Sequence, residues 1–169
     1  CGYYLAKLGY GDSNNQTTLS YGSDANNKYI TYYFRKAFSL IDVAEITTAQ
    51  AQLLCDDGAI VYLNGSEVFR INMPTGAVTN NTFATTFVDG INETTYTSFN
   101  LPVEQLVEGT NVIAIEVHQN SAISSDLGFD FALSASRATQ DGTMLTTNSE
   151  LSITLTDNMN ITAIYEKDK

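Results

Sequence analysis

The chain has 169 residues, 43% of them hydrophobic and only 16% charged, with 19 acidic against 8 basic side chains and a formal net charge of -11. That apolar content over roughly one domain's length suits a single buried core rather than a disordered chain. The longest apolar runs, such as Ala59 to Leu63, fall far short of the roughly 18 residues of a membrane span, which excludes membrane insertion by a helix. The few basic residues are dispersed and form no stripe that could neutralise a phosphate backbone, so no nucleic-acid partner is expected.

The polar half of the composition is rich in Asn, Thr and Ser, with 10 Tyr and no Trp. Thr and Tyr suit the half-buried surface of a strand and Asn, Asp, Gly and Ser suit turns, which is the profile of an extracellular β protein. No charged-then-apolar leader opens the sequence, which reads as a mature form or a fragment of something longer. Three states of the cysteines stay open: a Cys1–Cys55 disulfide, two free thiols, or a lipidated Cys1. Five Asn-x-Ser/Thr sequons, at Asn15, Asn64, Asn80, Asn92 and Asn160, indicate no more than surface position.

In chain order, residues 9–27 are dense in turn formers and read as a long loop. A β-branched and aromatic run follows over 29–40, and residues 49–55 alternate Ala49, Ala51, Leu53 and Cys55 against Gln50 and Gln52, the period of a strand with one wet face. Residues 59–63 and 67–71 flank Asn64-Gly65, a pair that tolerates the positive φ of a two-residue hairpin turn. Residues 72–92 read as loop, 95–101 as a strand, and 102–107 as one helical turn opened by Pro102. Two more strands are expected at 112–118 and 127–134, joined by a polar, Ser-rich connection over 119–126. After a connector at 137–150, residues 151–156 and 161–166 make a last hairpin-like pair. Short strands, long loops and no helix-length segment give an all-β fold, an antiparallel β-sandwich of jelly-roll type over residues 1–136, with a β-strand tail over 137–169.

The strings Leu8-Gly-Tyr-Gly-Asp12, Tyr32-Tyr-Phe-Arg-Lys36, Asp56-Asp-Gly-Ala-Ile-Val-Tyr-Leu-Asn-Gly65, Arg70-Ile-Asn-Met-Pro74, Gly109-Thr-Asn-Val-Ile-Ala-Ile-Glu-Val-His-Gln119, Ser124-Ser-Asp-Leu127 and Phe129-Asp-Phe131 resemble a galactose-binding-like jelly-roll module. That module recurs in large secreted or surface proteins of bacteria, beside lamin-tail and spore-coat-H-like domains. The Asp-Asp-Gly hairpin is similar to those of sugar-binding domains of β-galactosidase-type hydrolases and of protective-antigen-type lectins, in which paired aspartates hold Ca²⁺. The resemblance implies carbohydrate recognition, and the segment 142–166 resembles one that leads into a further domain.

Asp56 and Asp57 are adjacent carboxylates at a loop-to-strand junction. Their repulsion would be relieved by a hard cation, which makes them candidate Ca²⁺ ligands; the other reading is an Asp-Gly turn in which one aspartate caps backbone amides. His118, the single histidine, and Asp126 are candidate ligand contacts, or else they order the Ser-rich loop through hydrogen bonds. Tyr10, Tyr21 and Tyr96 are candidate stacking platforms for a sugar ring. One histidine and no nucleophile elbow leave little for a hydrolytic triad, and one His with two Cys little for a zinc centre, so no enzyme is expected. The reading is a non-catalytic extracellular or cell-surface module that binds a polysaccharide or glycan, Ca²⁺ assisting. The alternative is a structural or adhesive module, or a filament subunit, that joins neighbouring domains or identical subunits through its C-terminal strands.

Overall fold

The computed structural model describes residues 7–137 and the backbone of Leu151–Thr154. Ten strands occur among them: β1 (Leu8–Tyr10), β2 (Thr17–Thr18), β3 (Thr31–Leu40), β4 (Ile46–Asp56), β5 (Gly58–Leu63), β6 (Ser66–Ile71), β7 (Thr97–Asn100), β8 (Gly109–His118), β9 (Leu127–Arg137) and β10 (Leu151–Thr154). They form two sheets. One runs β2-β1-β9-β4-β7, with β10 added to β9 beyond β1, and the other runs β3-β8-β5-β6. All pairings are antiparallel except β1 with β2. The all-β sandwich expected from the sequence is therefore the architecture, and no helix among the described residues is long and apolar enough to cross a membrane.

Alternation builds the core. Ala51, Leu53, Phe129, Phe131 and Leu133 project from the first sheet against Tyr32, Phe34, Val61, Ile113, Ile115 and Val117 from the second, all buried. Phe34 of β3 and Phe129 of β9 stack across the interface at 3.9 Å between ring centroids, and Phe69 stacks on Phe99 at the same distance. The Asn64-Gly65 turn has φ of 50° and 87°, as its hairpin requires. A second small cluster, Ile60, Met73 and Ala84, lies on the outer face of the second sheet, where the segment between β6 and β7 folds back over it.

Three expectations need correction. Residues 9–27 are not wholly loop, because Leu8–Tyr10 pairs with Leu127–Phe129, and Thr17–Thr18 pairs with β1. β4 and β9 each reach 11 residues, longer than their apolar alternation, because they pair with one another along most of their length. The turn after Pro102 is a three-residue 3₁₀ turn, Val103–Gln105. In the tail, Leu151–Thr154 pairs with Ala132–Ala135 of β9, while residues 161–166 and Cys1 lie outside the described residues. Cys55 carries a free thiol, which burial pushes up to about 12.

Candidate functional site

The Asp56-Asp57-Gly58 segment is where the chain leaves one sheet for the other: β4 ends at Asp56 in the first, and β5 begins at Gly58 in the second. The peptide bond between the two aspartates is cis. Gly58 is required by close approach, since a Cβ there would stand 2.8 Å from the Asn72 carbonyl oxygen and 2.9 Å from Met73 Sδ. The end of β8, the start of β9 and the end of β1 lie at this same end of the sandwich, because His118 pairs with Gly58, Gly128 with Asp56 and Tyr10 with Leu127.

Asp57 is a clip. Its Oδ1 accepts from the Val88 amide at 2.7 Å and its Oδ2 from the Asn120 amide at 2.7 Å, so one buried carboxylate fixes the loop before β7 and the loop after β8. Asn72, at φ 53°, reinforces the first loop: its Nδ2 donates to the Thr86 carbonyl at 2.7 Å, and its Oδ1 accepts from the Thr86 amide and hydroxyl. Asn120 Nδ2 donates to the Ala84 carbonyl. His118 is fully buried; its Nδ1–H donates to the Thr82 carbonyl at 2.7 Å, and its Nε2 lies 3.4 Å from Glu116. Glu116 also accepts from the Tyr62 hydroxyl at 2.5 Å; against the penalty of burial, His118 and Tyr62 hold its carboxyl below the usual range. Four polar side chains, Asp57, Asn72, His118 and Asn120, thus turn the residues after β6, which carry little periodic signal, into a held loop.

What they hold is a cleft of about 430 Å³. Its acidic lining is Asp56, Asp57, Asp89, Glu93 and Asp126; Asn120 and the Ser121, Ser124 and Ser125 segment complete the polar wall, and Phe87 and Ile123 stand at the rim, 69% and 66% exposed. Among the described residues no Lys or Arg lines it. Lys28 lies behind the Ser-rich wall, donating to the Ser124 carbonyl at 2.5 Å and sitting over the Tyr10 and Tyr21 rings. Asp56 is 3% exposed, and its carboxyl hydrogen-bonds the neighbouring Asp57 carboxyl. Burial first, and then the neighbouring Asp57, push that carboxyl up to about 9.

The sequence candidates divide. Asp56, Asp57 and Asp126 line the cleft together. Tyr10, Tyr21, Tyr96 and His118 do not. Tyr10 is a core ring in edge contact with the half-exposed Tyr21 at 5.3 Å, and Tyr96 donates its hydroxyl to Asp130 at 2.7 Å. His118 orders a loop, though the one between β6 and β7 more than the Ser-rich one. Sequence reasoning did not single out Phe87, Asp89 or Glu93. Two phenylalanines in a Thr- and Asn-rich loop, Phe83 and Phe87, were the available signal.

No protein-family model and no curated protein matches this chain. Among solved structures it is similar to the α-L-rhamnosidase of Streptomyces avermitilis complexed with L-rhamnose, at 20% identity and TM-score 0.46, over 78% of this chain and 10% of that one. It is also similar to the α-L-rhamnosidase of Dictyoglumus thermophilum, at 13% identity and TM-score 0.47, over 91% and 15%. The PA14 domain of the MpAFP antifreeze protein matches at 17% identity and TM-score 0.30, over 71% and 50%. The chain thus spans about a tenth to a half of the length of these proteins.

Proposed function

We propose that this chain is a non-catalytic, extracellular or cell-surface module that binds a carbohydrate in the cleft at the Asp56-Asp57 end of the sandwich, Ca²⁺ assisting. The supporting observation is the lining itself: carboxylates, hydroxyls and amides on the walls, with the exposed Phe87 ring at the rim. Carboxylates and serines accept and donate to sugar hydroxyls, an aromatic face covers the C–H side of a pyranose, and the volume lies in the range of small-ligand sites. The acidic lining, with no basic side chain among the described residues, disfavours uronic or sulfated sugars and favours neutral or amino sugars. The residues also suit a cation. Asp56 and Asp57 share a hydrogen bond whose proton an incoming cation would displace, and the Asp57 oxygens already accept the Val88 and Asn120 amides. The ion would fix the loops and offer open positions to sugar hydroxyls.

Calorimetry against a panel of polysaccharides and oligosaccharides tests this reading. Binding of a neutral or amino sugar that weakens roughly tenfold on Phe87→Ala is the expected result. Silence across the panel, or an affinity indifferent to Phe87, overturns it. The pairing of Leu151–Thr154 with β9 favours a second reading, in which the tail supports assembly by strand addition to that edge. A chain truncated after residue 136 that keeps the oligomeric state of the full chain would refute that alternative.

A further inference from the structure

We propose that the open half of the outer face of the second sheet is a further binding site, for an oligosaccharide bearing a uronic carboxylate, which Arg35 holds. The proposal shares a ligand class with the cleft reading but none of its residues, and the two stand or fall separately.

Strand register shapes the site. Phe34, Phe38, Ile113 and Ile115 point into the core, so Arg35, Val112 and Ala114 on the alternate positions point outward. Ala114 lies between Arg35 of β3 and Tyr62 of β5. A small side chain between two long ones leaves a trough, part of a groove of about 680 Å³. Val112 and Ala114 are its floor, and the Asn64-Gly65 turn with Gln105 and Val107 its far wall. The segment between β6 and β7 that covers Ile60 contributes no residue to this half of the face.

The far wall is held in place. Asn64 Nδ2 donates to the Gln105 carbonyl and to Asn111 Oδ1, at 2.9 Å each, and Asn64 Oδ1 accepts from the Val112 amide at 2.8 Å. Asn111, fully buried, bonds both the amide and the carbonyl of Val107. Two asparagines thus order the turn Val103–Gln105 and the start of β8 before a ligand arrives, which lowers the entropic cost of binding.

Two polar groups of the groove remain without partners. Lys7, Lys28, Arg70 and Arg137 are held by Asp12, the Ser124 carbonyl, Glu67 and Asp42, whereas no acceptor among the described residues reaches the exposed Arg35 guanidinium. Gln105 lines the groove, and its side-chain oxygen meets no donor among those residues, where such an atom is ordinarily bonded. A guanidinium takes a carboxylate through two parallel bonds, and an amide oxygen accepts from a hydroxyl. One positive charge beside Thr110, Gln105 and a low apolar floor matches a sugar chain, in which a carboxylate stands among hydroxyls and C–H faces. An acidic peptide fits less well. Its several carboxylates would meet one arginine on a chain of net charge -11, and β8 is already paired on both edges, so no strand can be added to it.

Calorimetry of the full chain with oligogalacturonate, oligoglucuronate and the methyl ester of each tests the proposal. Binding of an acid form is expected, with its ester at least tenfold weaker and the affinity falling as salt rises. Arg35→Ala should weaken it tenfold or more. Arg35→Lys should recover only part, since an ammonium lacks the paired donors, and Ala114→Phe should block the trough with Arg35 intact. No heat with any uronic probe overturns the proposal, as does wild-type affinity in Arg35→Ala. A sulfated oligosaccharide or polyglutamate that binds more tightly than the uronic probes overturns the choice of ligand. A chain that binds uronic sugars through Arg35 and no neutral or amino sugar refutes the cleft and leaves this groove, and the converse refutes the groove alone.

Discussion

Replacing Asp57 separates its role as a clip from any role as a ligand. The carboxylate is 3% exposed and accepts two backbone amides, Val88 N and Asn120 N, at 2.7 Å each. Hydrogen bonds to a charged acceptor contribute about 1.5–3 kcal/mol apiece, so Asp57→Ala forfeits roughly 3–6 kcal/mol gross. Relief of repulsion with Asp56 offsets little of this at pH 7, because burial and Asp57 itself already hold the Asp56 carboxyl in its neutral form. The net loss should be about 2–5 kcal/mol, a large share of the roughly 5–15 kcal/mol that keeps a domain folded. Asp57→Asn keeps one acceptor but turns an amide donor toward the other backbone N–H, and should lose about half as much. Urea unfolding at pH 7 with a chelator present measures both, and amide exchange at Val88 and Asn120 shows whether the two loops loosen. Unfolding midpoints and amide protection equal to wild type in both variants would refute the clip.

Two other predictions test the frame around the site. Phe129→Ala removes a fully buried ring stacked on Phe34 across the sandwich and should cost about 3–5 kcal/mol by denaturant unfolding; a loss under about 1 kcal/mol would show that the two sheets are not joined there. Asp130 supplies a pH dependence: burial raises its carboxyl, and the bonds from Tyr96 and the Phe131 amide only partly oppose this. A raised folded-state value means that the native chain holds the proton longer than the unfolded chain, so this group's contribution to stability falls as pH rises from about 4 through the folded-state value. Asp130→Asn should flatten that fall, and unfolding curves for the two proteins that run parallel from pH 4 to 7 would contradict it.

How far the sequence reached depends on how local each signal is. The Asn64-Gly65 hairpin was legible because its φ requirement is met by two adjacent residues, whatever the rest of the chain does. The alternation of Ala49, Ala51 and Leu53 was legible because one face of β4 meets the core and the other is wet. β1 was not, since three residues become a strand only when Leu127–Phe129 offers an edge more than a hundred positions away. The site divides in the same way. Asp56, Asp57 and Asp126 stand at strand ends within recognisable strings, whereas Asp89 and Glu93 reach the cleft through a loop whose course is set by Asp57 and Asn72. Tyrosine misled for a physical reason: its ring can be core while its polar tip finds a partner, as Tyr96 does with Asp130, so position in a loop or near one does not make a platform.

The polar inventory at this end of the sandwich is sorted into two groups, and the sorting itself argues for a binding role. Asp57, Asn72, His118 and Asn120 spend their polar atoms on backbone groups of the two loops, which removes the entropic cost of ordering those loops when a ligand arrives. Asp56, Glu93 and Asp126 all line the same cleft. Charged carboxylates in a half-closed space oppose folding, and among the described residues no lysine or arginine lines the cleft to compensate them. Under the proposed function the held loops and the acidic lining are complementary: the first would keep the cleft rigid before binding, and the second would favour a cation or a hydroxyl-rich ligand.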